Sequence, residues 1–497
     1  FYHHFGVTNL TMKNNNIFFQ KKPLKMLCLG FSSGLPILLV FSTLSVWLVK
    51  AGVDRSTVTL FSWAGFAYAF KYLWSPLVDN YRLPILKKLG HRRSWLLFTQ
   101  ISIILCLVFT ALTDPQNNLF FTALFITLLA FFSSTQDILV DAFRIESVPQ
   151  SYQGPMSSMY IAGYRVAMLV AGAGSLWLAA FFGTELYNQN VWQKVYIIMS
   201  IFMLIGIFAT LSSSEPKIKK KLTTDNHINF LITILFSVIS FISIYSLLDN
   251  PFEKEQVFLS FIFSFSRMVI CFISAFLIFN LFILIGFTSK KKITKSYLSP
   301  IFNFLDRYGK FAFLILMLIS LYRIADVVMG VMANIFYLEK GYRISEIATF
   351  SKFFGVFATI LGGFIGGYSS YKFGTMKALF FGALIAAASN LLFAWLAVSP
   401  ISINFLIAVI TADNISSGFA GAAFVIYLSG LTSLKFTATQ YALFSSIMLF
   451  IPKLIAGYAG SWVDVMGYSY FFSLTALLGL PVLGLIIWIS KVAPIRN

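Results

Sequence analysis

Two aspartates, Asp137 and Asp141, interrupt an apolar run that begins at Leu119. Four residues apart, they share one face if the segment is helical. Further on, Arg165 stands in the middle of the next apolar run, ahead of Gly172 and Gly174. Ionisable groups inside segments of membrane length are costly, and they usually face a partner or a water-filled path. A carboxylate in such a place can take up and release a proton when its surroundings change. A guanidinium can grip a carboxylate through two parallel bonds, whereas an ammonium acts as a point charge. Lys71, Arg323, Asp326, Asp413 and Lys453, with Lys352 as a weaker member, also lie inside or near the ends of apolar runs. Asp137 is the first candidate for proton coupling because it lies deeper in its run than Asp141. Asp326, three residues after Arg323 and on nearly the same helix face, is the second. A cavity holding Lys71, Arg165, Arg323 and Lys453 would suit a substrate with carboxylates. Gln136, Tyr164, Asn334, Asp413, Asn414 and Tyr427 would supply further polar contacts, and aromatic rings could stack on sugars. Any one of these charges could instead form a structural pair, for example Asp137 or Asp141 with Lys71 or Arg165. As a set they exceed what packing needs, since neutral residues would be cheaper.

The elements that must position these residues are membrane spans. Of 497 residues, 58% are hydrophobic and 11% charged, against about 25% charged in soluble domains. The chain therefore reads as an all-α polytopic membrane protein. Its net charge of +19 is concentrated in short loops, the pattern that fixes membrane orientation rather than a nucleic-acid surface. Cys28, Cys106 and Cys271 all fall in apolar runs and give neither a disulfide framework nor a metal spacing. The histidines (His3, His4, His91 and His227) lie in tails or loops. A membrane-embedded transferase would need a catalytic dyad, typically His with a carboxylate, and no repeat span supplies the His. Nucleotide-loop, nucleophile-elbow and zinc-protease motifs are missing too. The reading is a transporter, with no enzyme activity and no metal or other cofactor, driven by an ion gradient. No cleavable signal pattern is apparent, and Met12 is a candidate start.

A span needs about 20 apolar residues. Fourteen runs qualify: 24–49, 57–79, 93–113, 118–140, 154–182, 192–213, 228–248, 257–287, 311–337, 346–370, 375–397, 401–431, 437–463 and 468–490. With both termini on the cytoplasmic side, most Lys and Arg fall there, including Lys21, Lys22 and Lys25, residues 82–93, 217–221 and 290–295. Trp47–Trp63 aligns with Phe336–Lys352 at a constant offset, so the halves repeat. This is the build of major facilitator transporters, which the chain resembles. The expected organisation is a tail at 1–23, a six-helix bundle at 24–214 and basic linkers with two extra spans at 215–310. A second six-helix bundle at 311–491 and a tail at 492–497 complete it. Arg267, in the second extra span, reads as a packed or snorkelling residue, and Tyr297–Asp306 as a short amphipathic helix on the membrane face. The loop after the second span carries Asp79, Arg82, Gly90, Arg92 and Arg93. It resembles the facilitator loop motif in which an aspartate and basic residues latch neighbouring helices, and a degenerate copy follows the eighth repeat span at 366–377. The glycines at 172, 174, 362, 363, 366 and 367 read as close-packing sites.

Residues Gly30–Leu48, Lys71–Pro84, Ser134–Glu146, Gly163–Gly174 and Thr437–Ser446 resemble the AmpG muropeptide permeases of the major facilitator superfamily. The resemblance runs over roughly residues 24–490. It implies a permease of a Gram-negative inner membrane, working as a monomer among membrane lipid. Its substrates would be N-acetylglucosamine-anhydro-N-acetylmuramyl peptides, carried inward with protons for cell-wall recycling, where they can influence β-lactamase induction. The related acetyl-coenzyme A transporters imply an alternative cargo, a bulky organic anion. One departure concerns the eleventh repeat span, where an arginine is expected and Pro452-Lys453 stands instead. Proline kinks a helix, and lysine lacks the bidentate fork.

Overall fold

A computed structural model describes residues 17–53, 61, 64, 66–83, 86–183, 187–216, 228–248, 257–287, 297–456 and 459–492. Among the described residues, nine helices are long and apolar enough to cross a membrane. The first half (17–216) opens with α1 (Lys21–Val40) and α2 (Ser42–Lys50). Pro36 lies inside α1 and removes one hydrogen bond there, and the ladder then breaks at Phe41, where ψ is −91°. After it come α3 (Ser75–Asn80), α4 (His91–Leu112), α5 (Leu119–Ser147), α6 (Gln153–Leu169) and α7 (Ser175–Phe182). The half closes with α8 (Gln189–Phe202) and α9 (Leu204–Ser212). The Asn118 side chain accepts from Phe121 N at 3.4 Å and so caps α5. Between α6 and α7 the glycine-containing stretch Val170–Gly174 widens into a π-turn, a form that recurs at functional sites in membrane and soluble helices alike.

The hairpin α10 (Ile228–Leu247) and α11 (Val257–Leu284) follows, and its two helices pack chiefly on each other. Arg267 turns inward within it: its Nε donates to Tyr245 O at 3.0 Å, and the guanidinium lies over the Tyr245 ring. The second half (297–492) begins with α12 (Ser299–Tyr308), whose Pro300 and Phe304 are buried while Ile301, Phe302 and Leu305 are exposed. After it come α13 (Ala312–Leu321), α14 (Ile324–Lys340), α15 (Gly355–Phe373) and α16 (Thr375–Val398). The last four are α17 (Ile403–Leu431), α18 (Thr437–Ala456), α19 (Ala459–Leu477) and α20 (Leu480–Val492).

Five of the fourteen expected spans stand outside the nine. The runs at 228–248, 257–287, 346–370 and 437–463 are helical over most of their length, as α10, α11, α15 and α18. The run at 57–79 lies partly outside the described residues. Its described part is broken into Phe66–Ala69, Lys71–Leu73 and α3. Pro76 explains the last break, because proline suits the first turn of a new helix and not the middle of an old one. Most of the Trp47–Trp63 repeat segment after Val53 also lies outside the described residues.

Two apolar cores hold the halves. One gathers Leu35, Trp47, Ile103, Ile126 and Tyr196, and the other Phe336, Phe393, Phe424, Phe471 and Phe472. A third joins them at one end, where Met26, Trp95 and Leu139 meet Ala438 and Ala442 of α18. This end, the basic end, also carries Lys21, Lys22, Lys25, Arg82 and residues 86–93.

Candidate functional site

The acidic pair of α5 is buried, Asp137 at 7% and Asp141 at 5% exposure. Asp141 does not pair with Lys71 or Arg165, as the sequence allowed, but with Arg144 one turn along the same helix, at 3.2 Å. Arg144 is itself fully buried. Its Nη1 donates to Gln153 Oε1 at 3.1 Å, to Ser157 Oγ at 2.9 Å and, across to α17, to Ser429 Oγ at 2.9 Å. The rings of Tyr160 and Tyr441 stand 5.9 and 5.4 Å from the guanidinium carbon. One side chain thus joins an acid of the first half to a hydroxyl of the second. Lys71, on the short 3-10 turn, lies close enough to act electrostatically on both aspartates. Asp137 Oδ1 is buried and accepts no hydrogen bond from the described residues, a state that is costly for a charged acceptor.

A second cluster closes the basic end. Arg92 is buried between two acids, with Nη2 2.7 Å from Asp79 and 2.6 Å from Glu146. Asp79 also accepts from Ala438 N at 3.2 Å, Thr439 N at 2.8 Å and Thr439 Oγ1 at 2.8 Å. It therefore caps the N-terminus of α18, where a negative charge is favoured. Glu215 accepts from the backbone N of Arg92 at 2.8 Å and of Arg93 at 3.1 Å, capping α4. Gly90 makes this possible: its φ is +98°, and a Cβ there would meet the Glu215 side chain at 2.5 Å. Arg93 turns to the end of α9, with Nε on Thr210 O at 3.1 Å, and Arg82 lies half-buried in the same loop. Three further bonds cross the halves nearby. Gln150 Nε2 donates to Ile426 O at 3.3 Å, Ser158 Oγ to Gly363 O at 2.8 Å, and Tyr297 Oη to Leu73 O. Every hydrogen bond between described residues of the two halves lies in the basic half of the bundle.

The second half carries its own cluster. Arg323 Nε is 3.1 Å from Asp326 Oδ2, with the two side chains 27% and 12% exposed. Asp413 lies within electrostatic reach of both. Arg165 of α6 is half-buried and lies within electrostatic reach of Arg323, so a guanidinium of each half acts on the other. Tyr164 packs beside Tyr160, ring centroids 5.9 Å apart. Gln136 is fully buried, with its amide nitrogen donating to Ser32 Oγ at 3.2 Å, a contact between α5 and α1. Asn414 accepts from Thr359 Oγ1 at 2.9 Å and donates to Ile410 O at 2.8 Å, a contact between α17 and α15. Tyr427 is fully buried in the second core. Asn334 lies on α14 and Lys453 on α18, but their side chains are outside the described residues, as is that of Lys352.

The Major Facilitator Superfamily profile matches residues 26–336. The chain belongs to that superfamily, among its AmpG-like permeases. It is 32% identical to "Putative transporter AmpG 4" of Rickettsia felis, over 96% of this chain and 98% of that one. It is 28% identical to the "Anhydromuropeptide permease" of Escherichia coli K12, over 94% of this chain and 79% of that one. Among solved structures it resembles the proton:xylose symporter XylE, with TM-score 0.56, 11% identity and 96% and 95% coverage. It also resembles the transporter FucP, with TM-score 0.58, 12% identity and 94% and 99% coverage. The protein is thus a multi-pass membrane transporter of the facilitator fold and not an enzyme.

Within this facilitator, sequence reasoning missed Arg144, Glu146, Glu215, Ser429 and Tyr441. Arg144 was in plain view three residues after Asp141, the spacing of a helical ion pair. Glu146 and Glu215 sit at helix ends, where acids read as ordinary surface charge.

Proposed function

We propose that this transporter imports anhydromuropeptides through a bacterial inner membrane by proton-coupled alternating access. The basic end faces the cytoplasm under the positive-inside rule, so the bundle described here is sealed inward. The cargo reading rests on the likeness to the Escherichia coli permease over nearly the whole chain. It is supported by Arg165 and Arg323, two cations from opposite halves that suit a peptide carboxylate.

The observation that carries the mechanism is the position of Arg144, with Asp141 on one side and Ser429 of the other half on the other. A proton passed by way of Asp137 to Asp141 cancels the charge that holds Arg144 in place. The guanidinium then releases Ser429 and Tyr441, and the cytoplasmic end can part. Loss of the proton to the cytoplasm restores the Asp141–Arg144 pair and reseals it. Asp326 and Arg323 act on the substrate side: a substrate carboxylate competes with Asp326 for the guanidinium.

The test is uptake into proteoliposomes under an inward proton gradient, with labelled anhydromuropeptide and labelled acetyl-coenzyme A side by side. Accumulation of muropeptide that collapses with the gradient, and in Asp137→Asn, supports the reading. Accumulation of acetyl-coenzyme A alone replaces the cargo, and uptake indifferent to the gradient removes the proton.

A further inference from the structure

A cavity of about 600 Å³ opens at the basic end between the first turns of α1, the ends of α5 and α9, and the loop before α18. Lys21, Lys22 and Lys25 line it, with Ile145, Val148 and Leu434 among its apolar walls. Lys22 Nζ donates to Ser147 O at 2.9 Å, and Lys25 Nζ donates to Ser212 O, so each ammonium is held at the C-terminus of a helix. Each ammonium has three donors, and one carbonyl apiece leaves two free to turn into the cavity. The two acids on the wall are already engaged, Glu146 by the Arg92 side chain and Glu215 by the Arg92 and Arg93 backbone. The charge available to a ligand is therefore positive. Phe19 and Leu24, on the turns that carry the lysines, are exposed at 68% and 41%. Cationic donors at the mouth of an apolar recess, with an apolar flank beside them, fit an amphiphilic anion better than a small hydrated one.

We propose that this cavity binds the headgroup phosphate of an anionic phospholipid from the leaflet it faces, and that the bound lipid favours the sealed state. The second clause follows from Leu434. It is the one wall residue from the second half, so parting the halves at this end removes part of the site. A ligand shifts an equilibrium toward the state that binds it better. The inference concerns sealing only and holds whatever the cargo.

The full chain is placed in nanodiscs of phosphatidylcholine with increasing phosphatidylglycerol. Spin labels at Ser151→Cys and Lys435→Cys, with the native cysteines replaced, report the separation of the halves at this end. Phosphatidylglycerol is expected to raise the short-distance population. A surface lysine contributes roughly fivefold to association with anionic lipid. The triple variant Lys21→Gln, Lys22→Gln, Lys25→Gln should therefore need on the order of a hundredfold more lipid, and so give no response across the accessible range. Leu434→Trp keeps every lysine and fills the recess, so its loss of response separates occupancy of the cavity from charge alone. A response to phosphatidylglycerol that survives both variants, or none in the parent chain, overturns the proposal. Sealing by inorganic phosphate in pure phosphatidylcholine overturns the choice of a lipid.

Discussion

The two halves each hold acids against cations, but they do so in different ways. In the first half, Asp141 and Arg144 are both almost wholly buried, and Arg144 Nη1 bonds three further side chains, one of them in the other half. In the second, Arg323 and Asp326 keep 27% and 12% of their side-chain surface exposed, and their charged neighbours are Asp413 and Arg165. In the first half the Arg144–Ser429 bond ties the buried pair to the other half, so its geometry depends on the halves being together. The second pair is more exposed and has a like charge within reach. On the proposed mechanism the first cluster serves sealing and the second recognition.

That division can be broken most decisively at Arg144. Replacing it by Met leaves Asp141 buried without its cation, and losing one partner of a buried pair costs about 3–5 kcal/mol. Thermal unfolding in detergent should show a large drop, while Asp141→Asn with Arg144→Met together should recover much of it. An equal drop for the single and double variants would mean that packing and not charge is at stake. Asp79→Ala comes next. It uncaps α18 and leaves Arg92 with Glu146 alone, and a lost cap of this kind costs about 0.5–2 kcal/mol. The basic end should open, raising the labelling rate of a cysteine placed at Ser158.

Ser429→Ala removes one hydrogen bond to a charged group, about 1.5–3 kcal/mol in the closed state only. It should shift the halves apart with little change in unfolding midpoint, because its partner keeps Gln153 and Ser157. The smallest stability effect is expected at Arg323→Gln. A partly exposed pair contributes about 0–1 kcal/mol, so the midpoint should barely move while substrate affinity falls. A stability loss as large as that of Arg144→Met would erase the contrast between the halves.

Much of this architecture was legible in the chain. Apolar runs of spanning length place the helices, and the cluster from Asp79 to Arg93 announces a latch, because charged residues in a short loop must satisfy one another. The partners of that latch were not legible. Thr439 and Glu215 lie far along the chain from Asp79 and Arg92, and nothing in their local sequence marks them. The polar residues of the spans were also ambiguous. Gln136 and Asn414 look like substrate contacts when read along one helix, yet both are used between helices. Small hydrogen bonds of that kind also hold membrane bundles together. The influence of Arg323 on Arg165 was not legible either, since it depends on how α6 packs against the second half.

The short helix α12 carries a consequence for the way the chain tolerates its inserted hairpin. Gln440 Nε2 donates to Pro300 O at 2.7 Å and to Asn303 at 3.2 Å, and Arg307 Nη2 reaches Leu431 O at 2.7 Å. Phe304 packs edge-on to Phe444. By these bonds α12 is part of the second half, and its neighbour Tyr297 touches Leu73 of the first. Before the hairpin the chain is held by Glu215 on the backbone of Arg92 and Arg93, and after it by α12 and Tyr297. Closure entropy grows only with the logarithm of loop length, and here both flanks are already pinned. The hairpin can therefore be lengthened, lost or exchanged with little thermodynamic consequence for the two halves, which makes this point the natural place to fuse or excise a module.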